Sequence, residues 1–73
     1  MQYTVYTFQV SPLIPGNDLV IASLSELAFD SFQETEEGVE AYVPSHLDNE
    51  ELQNALLELT IEDVTIHFSK KEM

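Results

Sequence analysis

Along Gln2 to Val10 the side chains separate by parity. Thr4, Tyr6, Phe8 and Val10 fall on one side, and Tyr3, Val5, Thr7 and Gln9 on the other. β-Branched and aromatic residues fit a pleated surface, so this segment is read as a strand with its heavier even set on the core. The odd set is not fully polar, which suggests a partly open sheet face. The residue before a proline is pushed toward extended geometry, so Ser11-Pro12 closes the strand. Pro15-Gly16 marks a turn, and Asn17 or Asp18 can cap a helix by accepting from its orphan amides. The spacing predicts that this helix runs to about Ala28. Val20, Leu24, Leu27 and Ala28 would form its buried stripe, with Ser23, Ser25 and Glu26 outward.

Phe29 to Thr35 reads as a second strand of poor pattern, with Phe29, Ser31 and Gln33 on one parity and Phe32 on the other. Glu36-Glu37-Gly38 follows, where Gly38 can supply the positive φ of a tight hairpin. Val39 to Val43 is the return strand, ended by Pro44. Asp48 with Glu51 three residues on predicts a capping box, and Leu47 with Leu52 a hydrophobic staple. Leu52, Ala55, Leu56 and Leu59 then repeat at helical spacing up to about Thr60. From Glu62 to Ser69, Val64, Ile66 and Phe68 alternate with Asp63, Thr65, His67 and Ser69, as in a strand with one wet face. The order strand, helix, strand, strand, helix, strand predicts an α+β, ferredoxin-like two-layer sandwich: two helices on one face of a four-stranded antiparallel sheet.

Charge narrows the partners. Fourteen Asp and Glu face only Lys70 and Lys71, for a formal net charge of −12 over 73 residues. Such a field repels phosphate backbones and anionic membranes and favours a basic partner. The 44% apolar content is too high for a disordered acidic tail. A chain this short makes one domain and is marginal alone. Mutual repulsion of its carboxylates costs stability, so added salt is expected to raise its melting temperature by screening. A thermal melt at rising NaCl tests this, and a midpoint that stays level or falls contradicts it. With no Cys, disulfides, thiolate nucleophiles and thiolate metal sites are out, and a reducing, cytoplasmic setting is the expectation. The N-terminal segment lacks the pattern of a signal peptide, and no stretch has the apolar length of a membrane span.

Little in the chain points to catalysis. His46 and His67 lie in different elements, outside zinc-site spacing and without an identifiable nucleophile, so both read as structural or surface histidines. Glu34, Glu36, Glu37 and Glu40 could supply oxygen ligands to a divalent ion, but calcium-loop spacing is missing. A solvated hairpin explains them better, followed by contact with a basic partner. Asp48, Glu50 and Glu51 suit the positive end of a helix dipole, and nothing selects two carboxylates as a hydrolytic pair. Gly16 and Gly38 do not form a phosphate-binding loop. Tyr3, Tyr6, Phe8 and Tyr42 on a sheet suggest base stacking, yet the bases that neutralise phosphate are nearly missing. No catalytic, cofactor-binding or metal-binding residue is assigned.

The stretch LSELAFDSFQETEEGVEAYVP, from Leu24 to Pro44, resembles the N-terminal domain of the methyltransferases of ribosomal protein L-eleven, the PrmA family. The matching pattern is an apolar helix ending near Leu27 and Phe29, then Asp30, Ser31 and Phe32. Glu34, Glu36, Glu37 and Gly38 follow, and then a strand ending in Tyr42, Val43 and Pro44. The strand from Tyr3 to Pro12 and the helix from Glu50 to Leu59 also fit. Ala28 stands where many relatives carry glycine, which puts the end of the first helix in question. The resemblance implies a single recognition domain, residues 1–73, at the N-terminus of a longer enzyme. It implies a C-terminal catalytic domain, not in this chain, that binds S-adenosylmethionine. The implied partner is a basic ribosomal protein of the large subunit, whose amino groups receive the methyl. Docking candidates are Tyr3, Val5 and Thr7 on the first strand, Glu34, Glu36 and Glu37 at the hairpin, and Thr65 and His67 on the last strand. The alternative is a stand-alone acidic interaction or regulatory module, dimeric through its open sheet face.

Overall fold

The computed structural model describes residues 2–72. The elements are β1 (Tyr3–Ser11), α1 (Leu13–Leu24), β2 (Ser31–Glu34), β3 (Gly38–Pro44), a 3-10 turn (Ser45–Leu47), α2 (Glu50–Leu57) and β4 (Thr65–Glu72). The strands form one antiparallel sheet in the order β2-β3-β1-β4, which with both helices gives the ferredoxin-like sandwich expected.

The parity of β1 decides which side of the sheet is covered. Tyr6, Phe8 and Val10 are buried together with Val39, Ala41 and Val43 of β3. Val20 and Leu24 of α1 and Leu52 and Leu56 of α2 close this core from above. Its centre is aromatic: Phe29 meets Tyr6 edge-on at 5.6 Å between centroids, and Phe68 lies 5.7 Å from Phe8. The odd residues of β1 face away from the helices. There Val5 pairs across to Tyr42 and Lys71, Thr7 to Glu40 and Ser69, and Gln9 to Gly38 and His67.

Several boundaries differ from the sequence expectation. Ile14 is extended (φ −122°, ψ 121°) because Pro15 follows it, so regular helix begins only at Pro15. Neither Asn17 nor Asp18 caps α1; Asn17 is inside the helix and buried against β3. The helix ends at Leu24, before Ala28, and residues 25–28 form turns in which the Leu27 N–H donates to the Leu24 carbonyl at 2.9 Å. Phe29 precedes β2 and reaches the core from a loop, while within the strand only Phe32 packs inward. The cap of α2 is Asn49, whose Oδ1 accepts from the Leu52 N–H at 3.0 Å; Asp48 is occupied elsewhere. With the cap shifted by one, Leu47 no longer holds the staple position, and it stays partly exposed. The helix stops at Leu57, short of Thr60. β4 starts at Thr65, three residues later than expected, because Ile61 to Val64 make a turn with Asp63 at φ 65°. Aspartate tolerates this left-handed position better than most residues.

Gly16 and Gly38 both serve close packing. A Cβ on Gly16 would lie 2.6 Å from Val10 Cγ1, so the glycine lets α1 approach β1. Gly38 has the positive φ expected at the hairpin, 159°. A Cβ there would overlap the Phe8 carbonyl oxygen of the neighbouring strand.

Candidate docking face

The uncovered side of the sheet carries most of the docking candidates. Thr7, Thr65 and His67 lie along it where β1 pairs with β4, Thr65 opposite Ser11 and His67 opposite Gln9, while Tyr3 is on the same face at the far end of β1. Val5 shares that parity but is only 6% exposed, so it offers little surface. Glu36 and Glu37 stand at the tip of the β2–β3 hairpin, and Gln9 Nε2 donates to Glu37 Oε2 at 3.3 Å. Glu34 departs from the group. Its strand partner Val39 is a core residue, and its Oε1 accepts from Asn17 Nδ2 at 3.4 Å, so it lies on the helix side.

A shallow trough crosses this face. One part, about 340 Å³, is lined by Val10, Leu13, Glu36, Glu37, Thr65 and His67, together with Gln9 and Ser11. It continues over Thr7 toward Ser69 on one side and Glu40 on the other. The depression follows from side-chain size. Gly38 has no side chain opposite Gln9, and Thr7 and Ser69 are small, while the hairpin glutamates rise as one wall.

Tyr3 and Tyr42 are tied down by carboxylates. The Tyr3 hydroxyl donates to Asp30 Oδ2 at 3.0 Å, and the hydrogen bond and charge of Asp30 hold its pKa above the ordinary phenol value. The Tyr42 hydroxyl donates to Glu40 Oε1 at 3.4 Å. Of the four aromatics that suggested base stacking, Tyr6 and Phe8 are buried in the core.

The strongest polar cluster lies on the other side and was missed in the sequence. The Tyr6 hydroxyl donates to Asp48 Oδ1 at 2.6 Å, and Lys70 Nζ lies 2.9 Å from Asp48 Oδ2. Burial first, then the bond to Asp48, pushes the Tyr6 phenol far up, so it stays a donor at ordinary pH. Burial alone would raise the Asp48 carboxyl, but the bonds from Tyr6 and Lys70 and the Lys70 charge outweigh it and hold the pKa below the ordinary 3.8. The available signal was Tyr6 on the core parity of β1, since a buried tyrosine needs a partner for its hydroxyl. This cluster ties the segment leading into α2 to β1 and β4.

Among the described residues no group of three or more His, Asp or Glu is placed to hold a metal ion. Neither glycine offers a nucleoside cradle, because each is closed by the protein's own atoms. The residues present therefore do not fit S-adenosylmethionine. No helix of the described residues is long and apolar enough to cross a membrane.

Fold and face together define a class: a small ferredoxin-like domain with one covered and one open, acid-rimmed sheet face. No family model and no solved structure matches the chain. Whole-chain comparison places it more closely. It is 36% identical over 99% of its length to the ribosomal protein L11 methyltransferase of Bacteroides thetaiotaomicron. The same enzyme of Bacteroides fragilis is also 36% identical, and that of Phocaeicola vulgatus 35%. The chain thus matches the ribosomal protein L11 methyltransferase family, PrmA, along nearly its whole length, as the stretch from Leu24 to Pro44 implied. It spans 26% of the length of each of these relatives.

Proposed function

We propose that this chain is the substrate-recognition domain of a ribosomal protein methyltransferase. It docks a basic ribosomal protein of the large subunit, and a separate C-terminal domain binds S-adenosylmethionine and transfers the methyl group in the cytoplasm. The observation that carries this reading is the 36% identity over 99% of the chain to one quarter of a ribosomal protein L11 methyltransferase. The open face and the net charge of −12 support it, because an acidic surface accelerates encounter with a basic protein. Tethering a docking domain to a catalytic one raises the effective concentration of substrate without new chemistry.

Calorimetric titration of the chain with ribosomal protein L11 is the test. Binding is expected at low salt and should weaken steeply as NaCl rises. S-Adenosylmethionine added to the same chain should give no heat. An absence of binding at low salt, with the full-length enzyme of Bacteroides thetaiotaomicron binding normally, overturns the reading. Sedimentation showing a stable dimer through the open face would favour the stand-alone module instead.

A further inference from the structure

We propose that the trough between the hairpin tip and β4 is the docking site, and that it takes a basic segment bearing an apolar residue. The inference rests on the recognition role above and adds to it the surface and the chemistry of the occupant. Three concavities run together here: the first and second share Gln9 and His67, the first and third share Glu36 and Glu37, and the second and third share Thr7. No lysine lines any of them.

The trough combines two kinds of lining. At the α1 end, Leu13 leaves 38% of its surface in solvent and lines the concavity together with Val10. Its neighbour in sequence, Ile14, is 88% exposed. Leu13 thus gives the concavity an apolar border. Along the hairpin side, Glu36, Glu37 and Glu40 give one continuous acidic wall. Apolar end and acidic wall together select an apolar anchor next to lysine or arginine. Glu51 beside Leu47 and Glu26 beside Leu19 also border apolar concavities, but each is the single carboxylate there, whereas the trough carries Glu36, Glu37 and Glu40.

Titration with ribosomal protein L11 separates the possibilities. Glu36→Gln/Glu37→Gln removes two charges at the trough. Glu50→Gln/Glu51→Gln removes two on the opposite layer and serves as control. All four side chains are exposed, and thermal melts verify that both variants fold. The trough variant is expected to weaken binding about fivefold or more, and the control by less than about twofold. Leu13→Ser should also weaken binding while leaving its salt dependence as in the wild type, since no charge is lost. Equal weakening by the two double variants, or wild-type affinity in the trough variant, overturns the trough and leaves the recognition role standing. A wild-type chain that does not bind overturns both.

Discussion

Gly38→Ala is expected to destabilise the domain more than any other single added methyl, by about 3 kcal/mol or more. The reason is geometric. Gly38 lies opposite Gln9 in the β1–β3 ladder, and a Cβ would overlap the Phe8 carbonyl. The hairpin is held tightly at that point. The Thr35 N–H donates to the Gly38 carbonyl at 2.8 Å, and the Val10 N–H donates to the Glu37 carbonyl at 2.9 Å. Asn17 Nδ2 donates to the same Gly38 carbonyl at 3.0 Å from α1, so the backbone is fixed from the helix side as well. Relief by backbone movement would break contacts to both layers. For a domain of this size each kcal/mol lowers the melting temperature by about 4–8 °C, so a drop of about 12 °C or more is expected in a thermal melt. A shift of only a degree or two would show that the strands can part at this point without loss.

The second large effect is at Asp48. Its side chain is only 5% exposed and joins Tyr6 to Lys70, so Asp48→Asn should cost about 1–3 kcal/mol at neutral pH by urea unfolding. The effect depends on pH in a defined direction. The folded carboxyl titrates below its ordinary 3.8, so the folded state favours the ionised form. That stabilisation is complete above the ordinary carboxylate value and is lost as pH falls through the lower, folded value. The gap between wild type and Asp48→Asn should therefore be constant near neutrality and narrow below about pH 4. A gap that stays constant down to pH 2, or that opens on acidification, would contradict the role given to this carboxylate.

Both effects show where reading the chain in order reaches its limit. Asp48 and Asn49 are both good helix caps, and local logic chose Asp48 because Glu51 completes a capping box with it. In the fold Asp48 is claimed by Tyr6, 42 residues earlier, and by Lys70 on the last strand, so the cap moves to Asn49. The same holds for Asn17. As a polar residue ahead of an apolar stripe it has the marks of a cap, but Gly38 and Glu34 draw its amide into the interface between α1 and the hairpin. Asn17 Oδ1 finds no hydrogen-bond partner among the described residues. Phe29 was assigned to a strand by its type, yet it enters the core from a loop because the aromatic cluster around Tyr6 and Phe8 has space for it.

What the chain determined by itself is local or additive. The period-two alternation of β1 and β4 settled which side chains meet the helices, because successive residues of a strand must point to opposite faces. The order of the elements settled the layering, and the excess of carboxylates settled the sign of the field. The tertiary structure decided which residues become neighbours. Pairing register brings Thr65 and His67 beside Gln9 and the hairpin acids, turns Glu34 to the helix side, and covers Val5. Register depends on how several strands fit one core at once, and no window of adjacent residues contains that information.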